Sequence, residues 1–109
     1  MFFENTPTPP YYAVIFTSQR NMNNHDGYHT MADLMVELAS KQPGFLGVES
    51  AREANGLGIT VSYWDSLESI QQWKEHHSHM RAQEKGKTDW YSSYTTRICK
   101  VERDYTNRI

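Results

Sequence analysis

The sequence predicts an α+β domain with the element order βαββαβ, the ferredoxin-like arrangement with a four-stranded antiparallel sheet. In residues 57–64, LGITVSYW, consecutive side chains would lie on opposite faces of a strand. A helix-capping sequence follows directly. Along the rest of the chain, segments with the side-chain period of a strand alternate with segments that have the period of a helix. At 109 residues the chain is long enough for one such domain and too short for two.

The first half of the chain supplies a strand, a helix and a strand. Tyr11–Arg20 is rich in aromatic and β-branched residues, which predicts a strand. Apolar residues then recur at the spacing of one helical stripe, at Met31, Leu34, Met35 and Leu38. Pro43 and Gly44 end this helix. Residues 45–53 form the second predicted strand, followed by the hairpin turn Ala54-Asn55-Gly56.

The second half supplies a strand, a helix and a strand. Residues 57–64 place Leu57, Ile59, Val61 and Tyr63 on one face and Gly58, Thr60, Ser62 and Trp64 on the other. Asp65 or Ser66 caps the next helix, with Glu68 three residues after Asp65 as in a capping box. The inward stripe of that helix is predicted at Leu67, Ile70, Trp73 (or Lys74) and His77.

The end of the chain is predicted to form a second helical segment and a last strand. Ser78 offers a new start for a helix over residues 78–85, before Gly86. Residues 91–105 form the last strand, with Tyr94, Thr96 and Ile98 opposite Thr95, Arg97, Cys99 and Val101.

The division of the chain follows from these elements. We expect an irregular N-terminal arm over residues 1–10, which holds three of the four prolines, a domain over residues 11–105 and a tail over residues 106–109. Two helices cover one face of a four-stranded sheet, yet the predicted strands carry sizeable side chains on both faces. Because soluble monomers rarely expose a large apolar patch, we predict a homodimer whose sheets pack face to face.

Composition and charge exclude several classes of partner. A net charge of −2 without a basic cluster argues against nucleic acid and anionic membranes. The single cysteine, Cys99, excludes an internal disulfide and a cysteine-based zinc site. No apolar run approaches the roughly 20 residues of a membrane span, and the first residues lack the regions of a signal peptide. We therefore expect a cytoplasmic protein.

Several of these segments resemble the antibiotic biosynthesis monooxygenase domain, a family of the dimeric α/β-barrel superfamily. The likeness covers residues 11–105 and is carried by Pro43-Gly44-Phe45, Ser62-Tyr63-Trp64-Asp65-Ser66, Trp73-Lys74 and Trp90-Tyr91. The resemblance implies a cleft between the helices and the sheet that holds a small-molecule ligand. The family includes cofactor-independent monooxygenases acting on polycyclic phenols, haem-degrading monooxygenases and proteins without a known activity, so the fold alone does not define the reaction.

Residues of the haem-degrading branch can be compared one by one. Those enzymes carry a tryptophan on the second helix, an axial histidine ten positions later and an asparagine in the first strand. Trp73 matches the tryptophan, but the tenth position after it is Gln83, a poor iron ligand beside imidazole. The first strand, YYAVIFTSQR, contains no asparagine. Haem degradation is therefore disfavoured, and we expect no cofactor.

The junction between the third strand and the second helix is the predicted site. We expect His77, on the inward stripe, or His76 to act as the proton acceptor. The predicted substrate-binding residues are Trp64, Trp73, Tyr63 and Met80, although both tryptophans can also be explained as core packing groups. His76 and His79 share a helix face but lack the i, i+4 spacing and the acidic third ligand of a zinc helix, so no metal site is predicted.

Two functions follow from this site. The first is a cofactor-independent monooxygenase that acts on a small aromatic phenol in the cleft between helices and sheet. The alternative is a non-enzymatic small-molecule-binding or structural dimer of the same fold, which needs no catalytic residues. An enclosed cavity with a histidine directed into it favours the enzyme, whereas a filled or shallow cleft favours the alternative.

Overall fold

The computed structural model describes the backbone of residues 3–21, 28–83 and 91–107, and the side chains of these residues outside 28–31 and 78–83. The elements are β1 (Tyr11–Arg20), α1 (Tyr28–Ser40), β2 (Phe45–Arg52), β3 (Leu57–Trp64), α2 (Leu67–Gln83) and β4 (Tyr91–Val101). The four strands form one antiparallel sheet in the order β2-β3-β1-β4. The predicted ferredoxin-like fold class is confirmed. Because α2 is continuous through Ser78, the separate helix predicted to begin there is wrong.

Strand register separates the two faces of the sheet. Tyr12 of β1 lies opposite Trp64 of β3 on one side and opposite Lys100 of β4 on the other. Because side chains alternate along a strand, even-numbered residues of β1, β3 and β4 share the face on which Trp64 lies, here called the helix-covered face. Odd-numbered residues, such as Tyr63, lie on the opposite face. No helix among the described residues packs on this second face, which we call the helix-free face.

The hydrophobic core lies between the helix-covered face and the two helices. Ala39 of α1, Trp64 of β3 and Ile70 of α2 are its buried members, and four half-buried residues pack against them: Tyr12, Val14, Phe45 and Trp73. The indole of Trp64 has no exposed surface, and its Nε1 donates a hydrogen bond of 2.9 Å to Ser62 Oγ. Burial of so large a ring with its polar atom satisfied makes Trp64 the centre of the fold.

The first helix packs against the core through a side that overlaps its predicted stripe and is centred beside it. Ala39 is buried there, Met35 and Leu38 are half-buried, and Leu34, at 37% exposure, lies at the edge. The small side chain of Ala39 lets α1 approach the bulky indole of Trp64 closely. This side of α1 therefore contributes a small side chain where the sheet contributes a large one, as close packing favours.

The start of α2 is fixed by a network of side chains. The backbone N–H of Ser69 donates to Ser66 Oγ at 3.1 Å, which makes Ser66 the N-cap and settles the choice between Asp65 and Ser66. The Ser69 hydroxyl donates to Asp65 Oδ1 at 2.9 Å. Gly44 has a φ of +84°, and its carbonyl accepts a 2.8 Å hydrogen bond from the N–H of Asp65. A Cβ at Gly44 would collide with Ser69 and Asp65, so this glycine lets the start of α2 rest against the beginning of β2.

Candidate functional site

The structure brings four of the predicted site residues together beside α2. The Trp73 ring stacks on Trp64 with centroids 6.3 Å apart and an angle of 24°. The rings of His76 and His77 lie 5.7 and 5.8 Å from the Trp73 ring. Residues three and four positions apart share one side of a helix, which is why both imidazoles flank the same indole. This group forms one wall of the candidate cleft.

His76 carries a buried polar atom without a partner. Its Nε2 is screened from solvent, and no hydrogen-bond partner for it occurs among the described residues. Leaving a buried nitrogen unpaired costs about 1–3 kcal/mol, so such atoms are uncommon in folded proteins. In a neutral imidazole this nitrogen either donates or accepts a single hydrogen bond. A rotation of the imidazole that exposes this nitrogen would let a ligand hydroxyl beside Trp73 satisfy it.

The two tryptophans have different positions relative to a ligand. Trp64 has no exposed surface and is enclosed by core residues, including Phe45, whose ring lies 5.4 Å away at 86°. It therefore has no surface with which to contact a substrate. Trp73 is half-buried and presents the outer side of the stack. Trp64 thus supports Trp73 from behind, as the packing interpretation of its sequence position implies.

An apolar floor extends from this wall along β1 and β4. Val14 packs against the core, and its neighbour across the strand pair is Ile98. The ring of Phe16, two residues further along β1, lies 5.4 Å from that of Tyr94. Ile98 and Tyr94 are 51% and 54% exposed although they share the face on which Trp64 is buried. The described parts of the helices therefore leave the β4 side of this face open.

The positively charged side chain of Arg52 lies at the far end of this floor. Arg52 donates from Nη2 to the buried hydroxyl of Ser18 at 2.8 Å, and its guanidinium lies 5.7 Å from the centre of the Tyr91 ring. Gly58 makes room for it, since a Cβ there would lie 2.6 Å from Arg52 Cζ. The floor thus runs from an indole and two imidazoles at one end to a guanidinium at the other.

Sequence reasoning missed the floor residues Phe16, Tyr94 and Ile98. Their alternation was visible along the strands, but their position in the site depends on β4 pairing with β1 and not with another strand. A strand order cannot be obtained from the periodicity of separate segments. The signal in the sequence that could have identified them was that Tyr94 and Ile98, a large ring and a branched side chain, fall on the same face of the last strand.

Two predicted substrate-binding residues are not part of this group. Tyr63 lies on the helix-free face, so it does not line the cleft beside Trp73, because consecutive residues of a strand point to opposite sides. Its hydroxyl donates instead to Glu49 Oε1 at 2.7 Å. The side chain of Met80 lies outside the described residues.

The helix-free face carries a second feature at one end, a polar groove of about 290 Å³. Tyr11 and Tyr63 line it, as do Glu49, Asp104 and residues of the N-terminal arm and the C-terminal tail. Tyr11 donates to Asp104 Oδ2 at 2.6 Å, and the N–H of Glu4 donates to Glu49 Oε2 at 2.9 Å. We refer to this feature as the tyrosine groove.

Both tyrosine hydroxyls in the groove have shifted acidities. Burial raises the pKa of Tyr63 well above its ordinary value, and its hydrogen bond to Glu49 raises the pKa further. Burial also raises the pKa of Tyr11, with a second contribution from its hydrogen bond to Asp104. The negative carboxylates disfavour a second negative charge on either phenol. Both hydroxyls therefore remain protonated at neutral pH.

Among the side chains that the structure describes, which exclude those of residues 28–31 and 78–83, no three from histidine, cysteine, aspartate or glutamate form a cluster able to hold a metal ion. Neither α1 nor α2, as described, combines the length and the apolar character needed to cross a bilayer.

Comparisons with known proteins identify related chains and folds. Residues 12–85 match the model of the antibiotic biosynthesis monooxygenase family. The uncharacterized protein YqjZ of Bacillus subtilis (strain 168) is 57% identical over 102 residues, which cover 94% of this chain and 89% of that protein. The crystal structure of PA3566 from Pseudomonas aeruginosa superposes with a TM-score of 0.66 at 11% identity, covering 91% of this chain and 99% of the other.

A second solved structure gives the same result. Rv0793 from Mycobacterium tuberculosis has a TM-score of 0.65 at 13% identity, with 90% of this chain and 99% of the other covered. At such identities the two structural matches establish a common fold and nothing about a shared substrate.

Proposed function

Because this chain belongs to the antibiotic biosynthesis monooxygenase family, we propose that it is a cofactor-independent monooxygenase that oxidises a small phenol bound between α2 and the sheet. The observation that carries this proposal is the buried Nε2 of His76 beside the Trp73 ring, which has no hydrogen-bond partner among the described residues. A phenol hydroxyl hydrogen-bonded to that nitrogen would satisfy it. Its ring would lie against Trp73 and over the floor at Phe16 and Ile98.

The proposed chemistry begins with a proton transfer. His76 Nε2 accepts the phenol proton, and the resulting phenolate is electron-rich enough to pass one electron to O₂. The organic radical and superoxide then combine at a ring carbon that carries hydrogen, and the resulting peroxide takes the proton back from the imidazolium. Loss of water from the hydroperoxide leaves a carbonyl at that carbon. His77 flanks the same ring and is the alternative proton acceptor.

Oxygen consumption with a panel of anthrone-like phenols tests the proposal. His76→Gln keeps a side chain of similar size but removes the base, and we expect turnover to fall about 100-fold or more. His77→Gln distinguishes the two candidate acceptors: retained activity assigns the proton transfer to His76, and a loss of similar size assigns it to His77. Background oxygen uptake by the wild type with every phenol would contradict the proposal, as would equal activity of the wild type and His76→Gln.

One observation favours the alternative of a non-enzymatic binding protein. The floor at Tyr94 and Ile98 is open instead of enclosed, and an open cleft suits binding without the exclusion of water that reactive intermediates need. The same phenol panel distinguishes the two functions. Quenching of tryptophan fluorescence by a phenol without oxygen uptake would support the binding protein and contradict the enzyme.

The proposal includes the absence of haem. A haem titration followed by absorbance should give no saturable Soret shift, because Gln83 stands where the haem-degrading branch has its axial histidine. A shift that saturates at a defined stoichiometry would contradict this part of the proposal.

We further propose that the helix-free face packs against a second copy of the chain. Leu57 and Ile59 are 45% and 48% exposed on that face, and the paired residues Ile15 and Val61 continue the apolar surface. Burying exposed apolar surface of this kind between two subunits would stabilise the dimer. Sedimentation of Ile59→Glu should give the 12.7 kDa monomer, whereas the wild type gives the dimer.

A control for this test lies on the other side of the molecule. Leu67 is 55% exposed at the start of α2, so Leu67→Glu introduces the same charge away from the proposed interface. It should sediment as the wild type does. A wild-type monomer at micromolar concentration would refute the dimer.

A cytoplasmic location completes the proposal. It is supported by the exposed free thiol of Cys99, because exposed thiols persist in reducing compartments. Cell fractionation with an antibody to the protein tests it, and recovery in an extracellular fraction would contradict it.

A further inference from the structure

Two tyrosines on the helix-free face are each paired with a carboxylate that is well placed to take a proton. Tyr63 donates to Glu49 Oε1 at 2.7 Å, and Tyr11 donates to Asp104 Oδ2 at 2.6 Å. These are short, charge-assisted O–H···O⁻ bonds. The two rings also contact each other edge to face, with centroids 5.9 Å apart and an angle of 80°. A phenol in such a bond loses an electron most easily when its proton moves to the carboxylate in the same step.

This tyrosine pair is linked through the sheet to the candidate cleft. Tyr63 and Trp64 are consecutive residues of β3, so one peptide unit joins a ring on the helix-free face to a ring on the helix-covered face. Trp64 stacks on Trp73 at 6.3 Å, and Trp73 contacts His76. Four oxidisable rings therefore lead from the cleft to the tyrosine groove, in the order Trp73, Trp64, Tyr63 and Tyr11.

We propose that Trp73, Trp64, Tyr63 and Tyr11 form a one-electron relay that carries oxidising equivalents from the cleft to the tyrosine groove. The inference rests on the proposed function for its oxidant, an organic peroxyl radical left in the cleft when oxygenation fails to go to completion. The relay would move the electron deficiency created by that radical away from the substrate and the imidazoles. The groove of about 290 Å³ lies at the end of the helix-free face away from Leu57, beside the N-terminal arm and the C-terminal tail, and there a small soluble thiol would reach the last rings at the edge of the proposed dimer contact.

Each step of the relay balances in electrons and protons. The peroxyl radical takes one electron from Trp73 and one proton from solvent to become a hydroperoxide. The electron deficiency passes to Trp64 and then to Tyr63, whose proton moves to Glu49 as its electron leaves. Tyr11 then reduces the Tyr63 radical while its own proton moves to Asp104, and Glu49 returns the proton to Tyr63. A thiol finally gives one electron to Tyr11 while Asp104 returns its proton to Tyr11. The thiol's proton goes to solvent and balances the one taken up at the first step, and a thiyl radical is left.

Two features of the groove support a redox role over simple packing. Burial and, after it, the neighbouring carboxylates hold both phenols in their protonated form, so a proton leaves only when an electron does. The carboxylate oxygens also lie within the 2.6–3.2 Å range needed for direct proton transfer. A tyrosine buried for packing alone would be satisfied equally well by a neutral acceptor.

Pulse radiolysis of the intact protein tests the relay without substrate or oxygen. The azide radical oxidises tryptophan selectively, and transient absorbance then follows the conversion of tryptophan radical into tyrosyl radical within the molecule. The background variant Trp90→Phe removes the tryptophan that is not part of the relay. In this background we expect a first-order conversion whose rate is independent of protein concentration.

Single substitutions then identify the rings and the bases. Tyr63→Phe keeps the ring contact but should slow the conversion about tenfold or more, and Glu49→Gln should slow it about tenfold because the charged acceptor is lost. Tyr94→Phe is the matched control, since no carboxylate is hydrogen-bonded to Tyr94 among the described residues, and it should leave the rate unchanged. Far-ultraviolet circular dichroism of each variant checks that it is folded.

The outcomes separate this inference from the proposed function. A conversion rate that is the same in the background and in Tyr63→Phe would overturn the relay. Equal slowing by Tyr94→Phe and Tyr63→Phe would also overturn it, because the hole would then not follow the named rings. Loss of phenol oxidation in the His76→Gln test leaves the radiolysis result unaffected, so either hypothesis can fail alone.

Discussion

The substitution Gly44→Ala tests how the candidate site is held in place. Gly44 lies in the loop between α1 and β2, directly before β2. Its carbonyl accepts a hydrogen bond from the backbone N–H of Asp65, which lies just before α2. A methyl group at Gly44 would stand 2.7 Å from the Cβ of Ser69 and collide with the side-chain oxygens of Ser69 and Asp65. The N-terminus of α2 would therefore have to move, and Trp73 and His76 move with it.

The size of the effect follows from three contributions. A residue with a Cβ at φ +84° pays roughly 1–2 kcal/mol for the left-handed conformation. Disturbing the cap formed by Ser66, Ser69 and Asp65 costs about 1 kcal/mol more. The reduced freedom of alanine in the unfolded chain returns about 0.5 kcal/mol. We expect a net loss of about 2 kcal/mol in the free energy of unfolding, the sum of these contributions.

Thermal unfolding followed by circular dichroism, at fixed protein concentration, measures this loss. For a domain of this size the Tm should fall by roughly 8–12 °C. Gly44→Asn separates the two causes, because asparagine tolerates the left-handed conformation but still carries a Cβ. A fall in Tm for both variants locates the cost in the collision. A Tm within about 2 °C of the wild type for Gly44→Ala would refute the reasoning.

Three further outcomes can be checked by standard measurements. Ile70→Ala should lower the free energy of unfolding by about 2–4 kcal/mol in urea titrations, because Ile70 is buried in the core. Ser66→Ala should cost about 1 kcal/mol in the same assay, since it removes the N-cap of α2, whereas a change under about 0.3 kcal/mol would exclude that role. The raised pKa of Tyr63 means that its contribution to stability is complete below about pH 10 and is lost as the pH rises through its folded pKa. An alkaline absorbance titration should therefore show Tyr63 ionising after ordinary tyrosines, and Glu49→Gln should bring its ionisation closer to theirs.

Periodicity in the sequence determined most of the fold. The alternation of residues 57–64 and the aromatic and β-branched run of residues 11–20 predicted β3 and β1 with their observed bounds, because a half-buried strand requires a side-chain period of two. The glycine and asparagine of the hairpin predicted its turn, and Gly56 has the positive φ expected there. Local chemistry of this kind is written in consecutive residues, so it can be recognised without knowing the fold.

The spacing of Trp73, His76 and His77 in the sequence also places them on one side of α2, because residues three and four positions apart on a helix share one side. It did not show that Tyr63 belongs to another site. Tyr63 and Trp64 are adjacent in the chain, yet the sheet separates them, and the helices pack on the side of Trp64. Nor did it reveal that Ala39 is buried in the cluster around the indole while Leu34 lies at the edge of the packed side of α1.

What the tertiary structure decided depends on pairings between distant residues. The order β2-β3-β1-β4 places Ile98 beside Val14 and Tyr94 beside Phe16, which creates the floor of the cleft. The burial of His76 Nε2 depends on what surrounds α2 in space. The sequence by itself thus determined the elements and the fold class, since hydrogen-bond geometry imposes its period locally. Which face holds the site was decided by packing, because the volume of the Trp64 indole and the register of β1 with β4 become defined only when the chain is folded.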